Sequence, residues 1–138
     1  MYGSWTMSMS NYIDNAGPNG EGTFLAQAFI QDAARSPKQK KFVTDFLKEY
    51  KPDDDRIPSA MSAAQGYDSV YLLAAAIKQA NSTDGTAIRD ALCSLSGSIE
   101  GVSTTYNNPF SKEDHIALKR EAGQLGVVQK SRIVPASL

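Results

Sequence analysis

Three stretches of the chain place apolar residues at the spacing of an amphipathic helix. The first begins at Ser36, a good N-cap, with Pro37 at the first helical position and Gln39 completing a capping box. It ends before Pro52, because the residue that precedes a proline avoids the helical conformation. Its apolar residues are expected on one face: Phe42, Val43, Phe46, Leu47 and Tyr50.

A second and a third helix follow along the chain. The second is predicted from about Ala60 to Ala80, and the third begins near Asp84. The second is expected to pack through one stripe of residues: Ala63, Tyr67, Val70, Ala74 and Ile77. The third is expected to bury four apolar residues: Ile88, Ala91, Leu92 and Leu95.

The strand signals are shorter than the helical ones. Residues 22–30 and 99–107 are each predicted to form one strand, and residues 125–134 two short strands around Lys130 and Ser131. The opening "YG" at residues 2–3 is typical of the end of a strand. Strands that alternate with helices predict an α/β fold, with pieces of a largely parallel sheet flanked by helices.

Composition and charge exclude several classes of protein. The 138 residues carry a formal net charge of −1 without a basic stripe, so neither a nucleic-acid partner nor a polybasic membrane patch is expected. The single Cys93 excludes an internal disulfide, and the single His115 has no catalytic or metal-binding companion in the sequence. Asp53, Asp54 and Asp55 lack the spacing of a calcium loop. We therefore expect no enzymatic activity, metal or cofactor.

Four motifs in order resemble a known family. They are Glu21-Gly22, Gly66–Val70 ("GYDSV"), Ser82–Leu92, and the segment that runs from Gly101 to His115. In this order and spacing they are similar to the solute-binding proteins of ABC importers, in the branched-chain amino acid and amide group. That group comprises type I periplasmic binding proteins that resemble the leucine-binding protein.

The resemblance implies a partial type I periplasmic-binding-protein fold, matching the C-terminal part of a longer protein. Residues 1–52 would finish the second lobe, 53–117 would supply a crossover and part of the first lobe, and 118–138 would return to the second lobe. Such a protein captures an amino acid or a related small carboxylate or amide by hinge closure. It works in the periplasm or outside the cell, and it delivers its solute to an ABC permease.

The resemblance also suggests where a solute would bind. Ser4, Trp5 and Thr6 follow a strand end, which is where ligands bind in open α/β sheets. In relatives that bind branched-chain amino acids, the position of Trp5 carries a carboxylate for the solute's ammonium group. A ring there favours an aromatic or short organic acid over a plain aliphatic amino acid, although a half-buried Trp anchor is an equal alternative. Met61 and Gln65, at the start of the second helix, would border the same cleft.

Other polar residues are given structural roles. Glu21 is expected to accept backbone N–H bonds within a turn, and Tyr67 and Asp68 are expected to serve packing and capping. Two alternatives to the binding protein stay open: a stand-alone α/β regulatory or enzymatic domain, and a fragment without function. For a chain that holds about half of a cleft, we expect weak or absent solute binding and self-association through exposed apolar surface.

Overall fold

The computed structural model describes residues 1–137, which form two compact units. Unit 1 contains residues 1–64 and the chain from Gly123 onward, and unit 2 contains Gln65–Ala122. The predicted lobe boundaries at residues 52 and 117 stay predictions. The helices and strands, in chain order, are β1 (Tyr2–Gly3), α1 (Ser10–Ala16), β2 (Phe24–Gln27), α2 (Pro37–Tyr50), α3 (Ala60–Ala80), α4 (Gly85–Cys93), β3 (Ser98–Glu100), β4 (Thr105–Asn107), β5 (Gln124–Gln129) and β6 (Arg132–Pro135).

Unit 1 is built on a four-stranded sheet in the order β1-β2-β5-β6. The α/β class is confirmed, but the expectation of a largely parallel sheet is wrong. Only β1 and β2 pair in parallel, whereas β2–β5 and β5–β6 are antiparallel. For β5 and β6 the reason is local, because only Lys130 and Ser131 join these two strands, and so short a connection can only reverse the chain.

Helix α2 has the predicted start and the predicted capping box. The Ser36 side chain accepts the backbone N–H of Gln39, whose own side chain accepts the N–H of Ser36. Phe42 is the buried residue of this helix, and its ring meets that of Phe29 edge-on at 5.6 Å between centroids. Tyr50, which was expected on the same buried face, is 69% exposed. The apolar face of α2 therefore packs mainly through its first half.

Unit 2 combines the rest of α3 with α4 and a small hairpin. The predicted single strand over 99–107 is wrong, because β3 and β4 are two antiparallel strands joined by a tight turn. The N–H of Gly101 donates to the carbonyl oxygen of Thr104 at 2.8 Å and closes that turn. The core of this unit contains three buried residues, Leu72, Leu95 and Tyr106, with Phe110 and Ile99 packed against them.

Helix α3 has the predicted bounds, but its buried face is not the predicted one. Val70 is 65% exposed, and Ala74 is also exposed. The buried positions lie four residues apart instead: Ala64, Asp68, Leu72 and Ala76. Because one of these four buried residues is a charged aspartate, a pattern of apolar residues alone does not identify this face as the buried one. Neither α3 nor any other described helix combines the length and apolar character needed to cross a membrane.

Candidate functional site

The segment after β1 presents Trp5 on the surface of unit 1. Residues Trp5–Ser8 form one turn of 3₁₀ helix that begins directly beyond the strand. Met7 packs down onto Gly3, where a larger residue would collide with its sulfur atom. Trp5 is left 38% exposed, and its indole N–H has no hydrogen-bond partner among residues 1–137. A half-exposed ring with a free donor at a strand end has the chemistry to contact a ligand.

Short hydrogen bonds hold the hydroxyl groups of the residues that neighbour Trp5 in this turn. The side-chain oxygens of Ser4 and Thr6 lie 2.5 Å apart, and Ser8 Oγ donates to the carbonyl oxygen of Trp5 at 2.6 Å. Ser4 and Thr6 are both exposed, and each hydroxyl can still accept another hydrogen bond. The three predicted residues Ser4, Trp5 and Thr6 therefore form one contiguous polar and aromatic edge.

The other two predicted residues lie on the first turns of α3. Met61 and Gln65 are separated by one helical turn, and both are half-buried. The helix start is fixed by Ser59, whose hydroxyl donates to that of Ser62 at 2.8 Å and whose carbonyl oxygen accepts from Ala63. That Met61 and Gln65 share a solute with Trp5 stays a prediction.

An ion-pair network that the sequence reasoning missed holds the acidic connector before α3. Arg56 is 17% exposed and donates to Asp54, to Asp14 at 2.7 Å and to the carbonyl oxygen of Ser131 at 3.0 Å. Burial lowers the pKa of Arg56, but the hydrogen bonds to Asp14 and Asp54 outweigh that effect and raise the pKa overall. Only the contact of Arg56 with Asp54 had a signal in the sequence, as an arginine directly after three aspartates.

A second arginine, Arg132, forms hydrogen bonds next to the same acidic connector. Arg132 on β6 forms a bidentate pair with Asp32, at 2.5 and 2.7 Å, and these bonds raise the pKa of Arg132. Between the two arginines lies a cavity of about 40 Å³, bordered also by Gln27 and Gln31. The guanidinium groups that border this cavity are already engaged by Asp14, Asp54 and Asp32. The network therefore serves to hold the connector in place.

Glu21 has the structural role expected for it. Its two carboxylate oxygens accept the backbone N–H groups of Lys130 and Ser131 at 2.9 and 3.0 Å. Both of these residues have positive φ, of 51° and 58°, which side-chain-bearing residues seldom adopt. Glu21 therefore stabilises the turn between β5 and β6, and its carboxylate is already occupied.

The remaining candidates from the sequence do not assemble into a reactive site. Asp53, Asp54, Asp55 and His115 are exposed. Among residues 1–137, no three His, Cys, Asp or Glu side chains are grouped so that they could hold a metal ion. Asp68 is buried and accepts three hydrogen bonds within unit 2, so its role is structural as expected, but it lies inside α3 and does not cap a helix.

Comparison with known proteins decides the family. A family model described as "Periplasmic binding protein" matches residues 1–126. The chain belongs to the periplasmic binding protein family. A search of curated protein sequences found no match to this periplasmic binding protein chain.

Solved structures share the fold over almost the whole chain. A type 1 periplasmic binding protein from Bordetella pertussis Tohama I is 25% identical, with a TM-score of 0.77 over 98% of this chain and 38% of that one. A leucine-binding protein from Thermotoga maritima MSB8 is 20% identical, with a TM-score of 0.74 over 99% of this chain and 36% of that one. A solute-binding protein from Rhodopseudomonas palustris, in complex with benzoate, is 19% identical, with a TM-score of 0.69 over 97% and 34%.

This periplasmic binding protein chain thus spans less than two-fifths of the length of the three structures that it matches. The fold class and the family expected from the four sequence motifs are confirmed. The solute and the residues that contact it are matters of proposal.

Proposed function

We propose that this chain supplies part of the solute-binding surface of an extracytoplasmic ABC-importer binding protein. The protein would capture an amino acid or a related small carboxylate or amide by hinge closure and deliver it to a membrane permease. The single observation that carries the proposal is the family match over residues 1–126. The periplasmic or extracellular location and the permease partner rest on the same family membership.

We propose that Trp5 directs the choice of solute toward an aromatic or short organic acid. The ring is 38% exposed at a strand end, and the hydroxyls of Ser4 and Thr6 lie beside it in the sequence and in the turn. An aromatic face attracts another ring, while hydroxyl groups can donate to a carboxylate. No carboxylate stands at this position to pair with the ammonium group of an amino acid. A structural relative in complex with benzoate supports an aromatic acid as one member of the solute class.

Calorimetry on the full chain tests this preference. Benzoate and leucine are titrated separately into the chain, into the variant Trp5→Asp, and into the control Tyr50→Asp. Tyr50 is an exposed aromatic residue on α2. Its replacement removes one aromatic ring and adds one negative charge, as Trp5→Asp does, but it lies outside the proposed site. Because the chain spans only 34–38% of the length of its relatives, dissociation constants of roughly 1 mM are expected.

We expect the preference between benzoate and leucine to reverse in Trp5→Asp but not in Tyr50→Asp. The chain and Tyr50→Asp should bind benzoate more tightly than leucine, and Trp5→Asp should bind leucine more tightly than benzoate. An unchanged order of affinities in Trp5→Asp would contradict the role of Trp5. Tight binding of either solute, at micromolar or lower dissociation constants, would contradict the view that this chain holds only part of the cleft.

Self-association stays a prediction. The outer face of α3 exposes Val70, Tyr71 and Leu73 by 65%, 47% and 44%, which provides apolar surface for contact between copies. Light scattering at several protein concentrations measures it directly, and a mass that stays at one chain throughout would contradict it.

A further inference from the structure

Unit 2 contains a cavity of about 320 Å³ that has no part in the function proposed above. It lies between α4 and the chain that follows β4. Its lining includes Ile88, Arg89, Leu92 and Cys93 on α4, and Phe110 and His115 opposite them. The volume falls at the lower end of the range of roughly 300–1,000 Å³ that is typical of small-molecule sites.

The walls of this cavity are apolar and firmly supported. Ile88 and Leu92 lie four residues apart on α4, so they form a continuous strip along one side. Phe110 packs against the buried core of unit 2, which fixes the opposite wall. Gln79 on α3 donates to the carbonyl oxygen of Ser94 at 3.2 Å and ties the end of α4 to the same core. A ligand would therefore meet a formed apolar surface.

The polar groups of the lining are donors, and the lining contains no carboxylate. Arg89 bonds Asp90 through Nε and Nη2, which orients the guanidinium and leaves its Nη1 group for another acceptor. The imidazole of His115 can donate from a ring nitrogen. Asp114, the acidic neighbour of His115, is paired with Lys119. This combination suits an acceptor that carries negative charge.

The segment that carries His115 is held in a defined turn. Ser111 Oγ accepts the backbone N–H groups of Glu113 and Asp114 at 3.1 and 3.0 Å. The N–H of Ser111 donates in return to the carbonyl oxygen of Asp114 at 2.8 Å. Because both partners of each bond belong to the segment itself, the turn is pre-organised by its own residues, which favours affinity.

We propose that this cavity is a second binding site, specific for a small amphipathic carboxylate. The aromatic or branched alkyl part of the ligand packs against Ile88, Leu92 and Phe110. Its carboxylate accepts hydrogen bonds from Arg89 and His115. The site lies within unit 2 and does not depend on Trp5.

Cys93 provides a direct readout, since it lines the cavity and is the only cysteine of the chain. The rate at which N-ethylmaleimide modifies Cys93 is measured on the full chain with increasing phenylacetate or its neutral counterpart phenylacetamide. Phenylacetate is expected to slow the reaction at least fivefold at saturation, with half of the effect at roughly 1 mM. The concentration of phenylacetamide that gives the same protection should be at least tenfold higher than that of phenylacetate, because phenylacetamide carries no charge.

Two variants separate binding at the cavity from a general effect of the additive. Arg89→Gln should remove the preference for phenylacetate, whereas Arg35→Gln, which changes an exposed arginine in unit 1, should keep it. Circular dichroism verifies that both variants are folded. The proposal is overturned if protection does not saturate, if the acid and the amide protect equally, or if Arg89→Gln behaves like Arg35→Gln. Since the readout is at Cys93, none of these outcomes depends on the calorimetric test at Trp5.

Discussion

The hydroxyl group of Tyr106 donates a hydrogen bond to Oδ2 of Asp68 at 2.9 Å, inside the core of unit 2. The same carboxylate accepts the backbone N–H of Val102 at 2.6 Å and that of Ser103 at 2.8 Å. Asp68 is only 2% exposed, so these three donors replace the water that its charge would otherwise require. One residue on α3 thus fixes a turn more than thirty positions away in the chain.

Replacing Asp68 by alanine should destabilise the fold strongly. Two buried N–H groups and one hydroxyl would lose their acceptor, and each unsatisfied buried group costs about 1–3 kcal/mol. We expect the free energy of unfolding to fall by roughly 3–5 kcal/mol, measured by urea denaturation at pH 7. Asp90→Ala serves as the control, because Asp90 is exposed on α4 and its loss should cost about 1 kcal/mol or less. Equal losses in the two variants would contradict the role of Asp68.

Tyr106 should make the stability of the protein depend on alkaline pH. Burial, together with the negative charge of Asp68, raises the pKa of Tyr106 well above that of free tyrosine. Because the folded pKa exceeds the unfolded value, this hydroxyl contributes stability that is present in full below about pH 10. That contribution is lost progressively as the pH rises through the folded pKa.

The variant Tyr106→Phe isolates this contribution. Its free energy of unfolding should fall less steeply than that of the parent chain between about pH 10 and 11, and Tyr50→Phe, at an exposed position, should follow the parent. Denaturation curves measured across this range provide the comparison. A parallel decline in the parent and in Tyr106→Phe would show that the Tyr106 hydroxyl is not the group that titrates.

Two glycines of unit 2 should respond oppositely to alanine. A Cβ at Gly101 would lie 2.6 Å from the Tyr106 ring and 2.7 Å from both Asp68 Oδ2 and the Thr104 carbonyl oxygen. Gly101→Ala should therefore displace the turn and cost at least about 2 kcal/mol. Gly66 lies within α3 with no atom in reach of an added Cβ, so Gly66→Ala should stabilise the protein by about 0.5–1 kcal/mol. Thermal unfolding distinguishes them, and a loss in both variants would contradict the open space at Gly66.

The contrast between α2 and α3 shows what the sequence could predict. The start of α2 was predictable because Ser36, Pro37 and Gln39 act within one turn and need no partner from elsewhere. The buried face of α3 was not, because Asp68 is acceptable in the core only through donors that lie 34 to 38 residues further along. The spacing of apolar residues cannot identify a buried polar residue whose hydrogen-bond donors lie so far away along the chain.

In the candidate site, too, local features could be predicted from the sequence and long-range contacts could not. Position in the chain was enough to place Ser4, Trp5 and Thr6 directly after a strand, because β1 precedes them immediately. The ion pairs of Arg56 with Asp14 and of Arg132 with Asp32 join residues 42 and 100 positions apart. Side chains that meet only after the sheet of unit 1 has formed leave no spacing signal in the sequence.

The turn between β5 and β6 should depend on Glu21. Replacement of Glu21 by alanine leaves the N–H groups of Lys130 and Ser131 without their acceptor, and we expect a loss of about 1–2 kcal/mol. Changing the turn itself to Lys130→Asn with Ser131→Gly supplies residues that adopt positive φ readily. In that background Glu21→Ala should cost less, and a double-mutant cycle from urea denaturation measures the difference. Full additivity would contradict the coupling between Glu21 and this turn.

Adjacent leucines on α3 test which face of the helix is buried. Leu72 is 5% exposed and belongs to the core of unit 2, so Leu72→Ala should lower the free energy of unfolding by about 2–5 kcal/mol. Leu73 is 44% exposed, and Leu73→Ala should cost no more than about 0.5 kcal/mol in a dilute sample. Because helix propensity and the substitution are the same, burial alone separates the two variants. A comparable loss at Leu73 that grows with protein concentration would mean that a second copy covers this face, since association adds to apparent stability by mass action.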